Sequence, residues 1–114
     1  MIYIDVGSLT MLASSWGIAL VFGLIALWAL KKKTPMHFWS GTTVKPEEIT
    51  DIPAYNRANA KMWAIFGACF FVIGIVGLFS IGASGVLTMV VGLPGVFVLI
   101  KTYNKIYKKY EKRP

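Results

Sequence analysis

Residues 9–33 read LTMLASSWGIALVFGLIALWALKKK. From Leu9 to Leu30 no Asp, Glu, Lys, Arg or His interrupts the run, and Lys31, Lys32 and Lys33 end it. As a helix rising 1.5 Å per residue, such a run is about 33 Å long, enough to cross the hydrocarbon core of a bilayer. A helix on the surface of a soluble domain would carry a charged face, and this one has none. Two further uncharged runs follow, Met62–Ala83 and Ser84–Ile100. Together they predict an all-α fold, an integral membrane three-helix bundle forming a single membrane domain over residues 1–114. The spans are expected at about 9–30, 62–83 and 84–100, with a loop over 31–61 and a basic amphipathic tail over 101–114.

The charges fix an expected orientation. All twelve Lys and Arg residues fall in the loop or the tail, whereas the segment before the first span offers only Asp5. The positive-inside bias predicts an external N-terminus and a cytoplasmic loop and tail. Basic residues follow the first apolar run instead of preceding it, the reverse of a secretory signal, so the first span reads as an uncleaved anchor. The chain is 56% apolar with a net charge of +7. In a soluble protein that charge would point to nucleic acid. Here it lies beside the span ends, so the expected partners are the lipid bilayer and its anionic phospholipids, with no nucleic acid. Cys69 is the single cysteine and can form no internal disulfide.

Small residues recur where helices are expected to meet. Ser15, Ala19 and Gly23 repeat every four residues in the first span. Ala60, Ala64, Gly67 and Gly74 share a face of the second, and Gly85 and Gly92 lie a heptad apart in the third. Small side chains let backbones approach closely where lipid supplies no hydrophobic drive to associate. These faces suit either a compact bundle within one chain or a homo-oligomer. Gly82 is expected to end the second helix in the left-handed conformation, and Ser84 to cap the third, making an antiparallel hairpin. Pro94 lacks a backbone donor and crowds the carbonyl of Val90, which predicts a kink.

The loop is the least generic stretch. Pro46-Glu47-Glu48 reads as a short helical start, and Asp51 caps a new helix with Pro53 in its first turn. That helix is expected to run through Tyr55, Asn56 and Asn59 directly into the second span. The two amides would face the mouth of the bundle and bond to the Trp39–Thr43 backbone. Trp28, Trp39 and Trp63 cluster where an interfacial belt is expected. His37, Phe38, Trp39, Ser40, Gly41, Asp51, Tyr55, Asn56 and Asn59 thus form a candidate interaction loop, folded against the membrane surface. In the tail, Tyr103, Ile106, Tyr107 and Tyr110 make one helical stripe. Lys101, Lys105, Lys108, Lys109 and Lys112, with Arg113 beyond, offer a candidate lipid-binding face.

No reaction is legible. His37 is the only histidine, and the scattered acids Glu47, Glu48 and Asp51 do not supply a metal-ligand set. Ser40 has no strand-turn-helix setting and no orienting third group. A Gly-rich phosphate loop, a CxxC pair and a haem motif are all lacking. The chain is therefore expected not to be an enzyme and to need no cofactor.

Phe38-Trp39-Ser40-Gly41-Thr42-Thr43, Pro46-Glu47-Glu48-Ile49 and Ala54-Tyr55-Asn56-Arg57-Ala58-Asn59, entering a span through Met62-Trp63, carry a resemblance. This stretch looks like small Gram-positive membrane proteins similar to domain of unknown function family 3784. More distantly it resembles the sporulation-delay toxin immunity proteins, although Ser40-Gly41-Thr42-Thr43 stands where a Gly-Tyr-Arg-Thr type signature belongs. The resemblance implies a bacterial plasma membrane, and it transfers no catalytic residue. The preferred expectation is an interaction, regulatory or immunity-type protein acting on a larger membrane partner. The alternative is a small oligomeric transporter or channel subunit, against which stands the lack of any ionisable residue within the spans.

Overall fold

The structure, a computed structural model, describes residues 5–36 and 44–112. It holds four α-helices: α1 (Val6–Lys31), α2 (Ile52–Phe79), α3 (Ile81–Gly92) and α4 (Pro94–Tyr110). A short 3-10 turn, Pro46–Glu48, precedes α2. Helix accounts for 85% of the described residues, and none of them forms a strand. Residues 6–31, 52–79 and 81–110 each form a helical segment long and apolar enough to cross a membrane, α3 and α4 counting together as the third. The chain is thus built as a multi-pass membrane protein, 60 Å along its longest axis.

Local chemistry sets the helix ends. The Asp5 carboxylate accepts a hydrogen bond from Ser8 N–H at 2.8 Å and caps α1. Asp51 accepts from Ala54 N–H at 3.1 Å and caps α2, with Pro53 in the first turn, where a missing donor costs nothing. α2 stops at Phe79 because Ser80 turns extended (φ −154°, ψ 110°). The same Ser80 then caps α3, its Oγ accepting from Ala83 N–H at 3.1 Å. The expected assignment of this turn is corrected accordingly. Gly82 lies inside α3 in no left-handed conformation, and Ser84 is a buried interior residue whose Oγ donates to Ile81 O. One residue both ends and starts a helix. At Leu93 the third segment is interrupted, and Pro94 opens α4. That is the break expected from proline, placed one residue before it.

α1 and α2 pack antiparallel over most of their length. A Cβ added at Gly67 would lie 3.1 Å from Phe22 Cβ and 3.2 Å from the Ala19 carbonyl oxygen, so α1 backbone occupies the space a side chain needs. At Gly74 the obstacle is the Trp16 indole, 2.6 Å from the added atom. Trp16 also stacks on Phe71 (4.7 Å, 9°) and donates its Nε1–H to the Phe71 carbonyl at 3.0 Å. Its donor is therefore satisfied within the protein, as an apolar surrounding demands. Phe22 packs among Trp63, Phe66 and Phe70 at centroid distances of 5.4, 5.0 and 5.9 Å.

The other expected packing positions are less uniform. Ser15 and Ala60 are buried, and Ala19 borders Gly67. Ala64 is exposed. A Cβ at Gly23, Gly85 or Gly92 would meet nothing within 4 Å, so these three are not points of close helix approach. Gly77, which sequence reasoning passed over, instead lies against Met11 and Ser84. Outside the bundle, Leu20, Val21, Leu24, Leu27, Val86, Val90 and Phe97 are all more than half exposed. So large an apolar surface is untenable in water and ordinary in lipid.

Candidate functional site

The bundle end that carries the lysines is closed by a cap, and α2 supplies its centre. Because Asp51 starts the helix where it does, Tyr55 and Asn56 point into the space below the end of α1. Both are buried, at 0% and 2% exposure. Asn56 Oδ1 accepts from Met36 N–H at 2.8 Å, while Nδ2 donates to Lys32 O at 3.1 Å and Thr34 O at 2.8 Å. Its orientation is fixed by chemistry, since a backbone N–H can only donate and a carbonyl only accept. Asn56 thus reads the whole turn that follows α1. Asn59 Nδ2 donates to Tyr55 O in its own helix at 3.0 Å.

Tyr55 joins the same turn to α4. Its hydroxyl lies 2.7 Å from Met36 O and 2.7 Å from the Tyr103 hydroxyl. A phenol has one proton. The Met36 carbonyl can only accept, so Tyr55 donates there and Tyr103 donates to Tyr55. The rings meet edge to face at 6.4 Å, and Tyr110 approaches Tyr55 in the same manner at 6.3 Å.

The last turn of α4 is tied down by backbone bonds. Thr50 N–H donates to Tyr110 O at 2.8 Å, and Lys112 N–H to Glu48 O at 2.7 Å, so Ile49 and Glu111 form an isolated antiparallel bridge. Tyr107 donates to Glu48 Oε2 at 3.4 Å. Below these bonds lies a core of Ala26, Ala29, Met36, Ile49, Tyr55 and Ala60, against which Tyr103, Ile106, Tyr107 and Tyr110 pack. The tyrosine stripe therefore faces the protein. Lys101, Lys105, Lys108 and Lys109 are exposed on the other side of the helix, and Lys112 is exposed just beyond its end.

The expected site residues fall into place unevenly. Asn56 bonds to residues 32–36, whereas its expected partners, residues 39–43, lie outside the described residues. His37, Phe38, Trp39, Ser40, Gly41 and Arg113 lie outside them as well. Asp51 acts as a helix cap. The Tyr55–Tyr103 pair and the Glu48–Thr50 tether to the end of α4 were missed. The stripe at 103, 106, 107 and 110 was their available signal. Among the described residues, no three His, Cys, Asp or Glu side chains come together to hold a metal. None of the buried polar side-chain atoms described lacks a hydrogen-bond partner. Among the described residues, the cap is a polar lock whose buried side-chain groups are all hydrogen-bonded.

Two apolar grooves lie along the helices. One, of about 700 Å³, runs between α1 and α2 beside Gly17, Gly23, Ala64 and Ala68. The other, of about 450 Å³, lies between α2 and the α3–α4 segment and is lined by Phe66, Cys69, Pro94, Gly95, Val98 and Thr102 among others.

Residues 55–108, just under half of the chain, match a family model described as "Family of unknown function (DUF6903)". No curated protein and no solved structure matches the chain. The matched segment opens on Tyr55 and includes Tyr103 and Tyr107, so it holds both phenols of the central hydrogen bond. That match and three helical segments long and apolar enough to cross a membrane fit a small membrane protein of unknown activity, with a hydrogen-bonded cap at one end.

Proposed function

We propose that this chain is a non-enzymatic interaction or regulatory protein of a bacterial plasma membrane. Its N-terminus lies outside, and the cap and basic tail lie in the cytoplasm against anionic phospholipid. The cap carries this reading. It holds residues 32–36 and 45–50 by backbone and side-chain bonds, and among the described residues no three metal-ligating side chains come together. A rigid surface of this kind suits recognition of a larger membrane partner. The immunity-type role implied by the resemblance of Phe38–Trp63 is one form of that function. The exposed groove beside Gly17, Gly23, Ala64 and Ala68 favours a second reading, a homo-oligomeric transporter or channel subunit.

Photo-crosslinking separates the two. A photoreactive residue at Glu47, which is exposed on the cap, should yield a discrete adduct with a different membrane protein. The same residue at Ala68 should yield lipid adducts. A dimer-sized adduct from Ala68, with none from Glu47, refutes the interaction role in favour of an oligomeric one. The orientation is tested by an impermeant thiol reagent on intact cells, in a Cys69→Ala background with cysteine at Thr43. Protection is expected, and labelling from outside reverses the topology.

A further inference from the structure

The groove between α2 and the α3–α4 segment extends to the lysines of α4. At its charged end it is lined by Val98 and Thr102, and these two residues also line an adjoining cleft with Lys101, Asn104, Lys105 and Lys108. Lys101, Lys105 and Lys108 are spaced i, i+4, i+7 and so share one face of α4. All three are exposed, and the Glu48 carboxylate lies instead by Tyr107 on the packed side of the helix. On α2, Lys61 is exposed one turn before Ile65, which lines the groove, so helical spacing brings a further cation to the rim. An apolar channel therefore opens directly into a basic cleft. The groove passes Pro94 and Gly95, just after the helix interruption at Leu93, with Phe66 of α2 among its walls.

We infer that this groove holds one acyl chain of an anionic glycerophospholipid, whose phosphate sits between Lys101 and Lys105. Charge complementarity selects this occupant. An uncharged chain explains the groove and leaves the cleft without a counter-ion, while a soluble anion explains the cleft and leaves the groove unfilled. A phospholipid fits both at once. Thr102 adds a hydroxyl donor at the junction of the two. The inference sharpens the lipid contact of the proposed function to one site. It uses the cytoplasmic orientation only to choose the leaflet.

Native mass spectrometry of the full chain in detergent tests it, with dioleoyl-phosphatidylglycerol and dioleoyl-phosphatidylcholine offered at equal concentration. One phosphatidylglycerol is expected to be retained in preference to phosphatidylcholine. Each lysine beside an anionic headgroup is worth roughly fivefold in binding, so Lys101→Gln with Lys105→Gln should weaken retention about 25-fold. Lys31→Gln with Lys33→Gln removes the same charge from exposed positions on the first helix end and should change retention less than about twofold. Val98→Trp fills the groove from a 63% exposed position and should weaken retention at least about fourfold, the worth of one methylene of chain burial. Equal retention of the two lipids overturns the site, as does unchanged retention in Val98→Trp. Equal losses in the two lysine pairs also overturn it, while leaving diffuse adhesion of the tail standing. Because detergent has no sides, a reversed topology does not alter any of these results.

Discussion

Substituting Tyr55 and Tyr103 by Phe, singly and together, tests the centre of the cap. Tyr55 is fully buried, and its hydroxyl serves two bonds of 2.7 Å: it donates to Met36 O and accepts from Tyr103. Tyr103→Phe removes one of them and leaves the proton of Tyr55 on Met36 O. A buried hydrogen bond contributes about 0.5–1.5 kcal/mol net, so this change should cost about that much. Tyr55→Phe removes both bonds and withdraws the donor from the Met36 carbonyl, which raises the expected cost to about 1–3 kcal/mol. The edge-to-face ring contact survives in every variant, so the comparison isolates the hydroxyls.

The double variant decides the matter. If the phenols bond to each other, either single change already breaks the bond they share, and the double variant cannot lose it a second time. The double cost should fall short of the sum of the single costs by about 0.5–1.5 kcal/mol. Reversible unfolding by SDS in mixed micelles, followed by tryptophan fluorescence, measures all four corners of the cycle. A coupling within about 0.3 kcal/mol of zero, the ordinary scatter for independent sites, refutes the pairing and with it the proton assignment.

Three further outcomes are expected. Gly74→Ala sets a methyl 2.6 Å from the Trp16 ring and should cost about 1–3 kcal/mol in the same assay, whereas Gly85→Ala enters open space and should be neutral or stabilising by up to about 1 kcal/mol. Asn56→Ala deletes three bonds to residues 32, 34 and 36; it should destabilise by about 2–4 kcal/mol and raise amide exchange at Met36 well above exchange at Trp16. The Ser8 N–H bond holds the Asp5 carboxyl below the usual carboxylate range. A depressed pKa stabilises above the unfolded value near ~3.9 and loses that contribution as pH falls through the folded value. Fraying of Ser8 seen by NMR should therefore begin only below about pH 4 and should be absent in Asp5→Asn, which caps without titrating.

Where a side chain acts on its own backbone, the sequence was readable. Asp51 and Pro53 announce the start of α2, and the start of α2 determines that Tyr55 and Asn56 turn inward. Partners more distant in the chain were not readable. Asn56 bonds to residues 32–36, which reach it because the chain turns at once after Lys31, and no local signal marks that pairing; its expected partners, residues 39–43, lie outside the described residues. Small residues show the same limit. Gly67 and Gly74 admit Phe22 and Trp16, while Gly23, Gly85 and Gly92 admit nothing, because a small residue permits close approach without supplying a neighbour. Ser80 and Ser84 lie one turn apart and both suit a cap. Ser80 takes the cap, while Ser84 is buried beside Gly77, whose added Cβ would lie 3.4 Å from its Oγ. The helices are apolar on every side, so no periodicity separates a lipid-facing residue such as Leu24 from a packed one such as Ile73.

That uniformity explains why the polar lock matters to the fold. Lipid tails solvate apolar side chains as well as a neighbouring helix does, so packing alone leaves one span free to slide or turn against another. Directional bonds remove that freedom. At one end Ser80 joins α2 to α3 with no spacer; at the other, Asn56 sets the height of α1 and Tyr55 that of α4. The contributions differ in kind. The turn after α1 offers Lys32 O, Thr34 O, Met36 N–H and Met36 O, all backbone groups that do not depend on the side chain unless proline stands at 36. The side chains come from Tyr55, Asn56 and Tyr103, all inside the segment 55–108 that matches a family model. The identity of the lock thus resides in α2 and α4, and the chain that α1 delivers to it need only arrive at the right height.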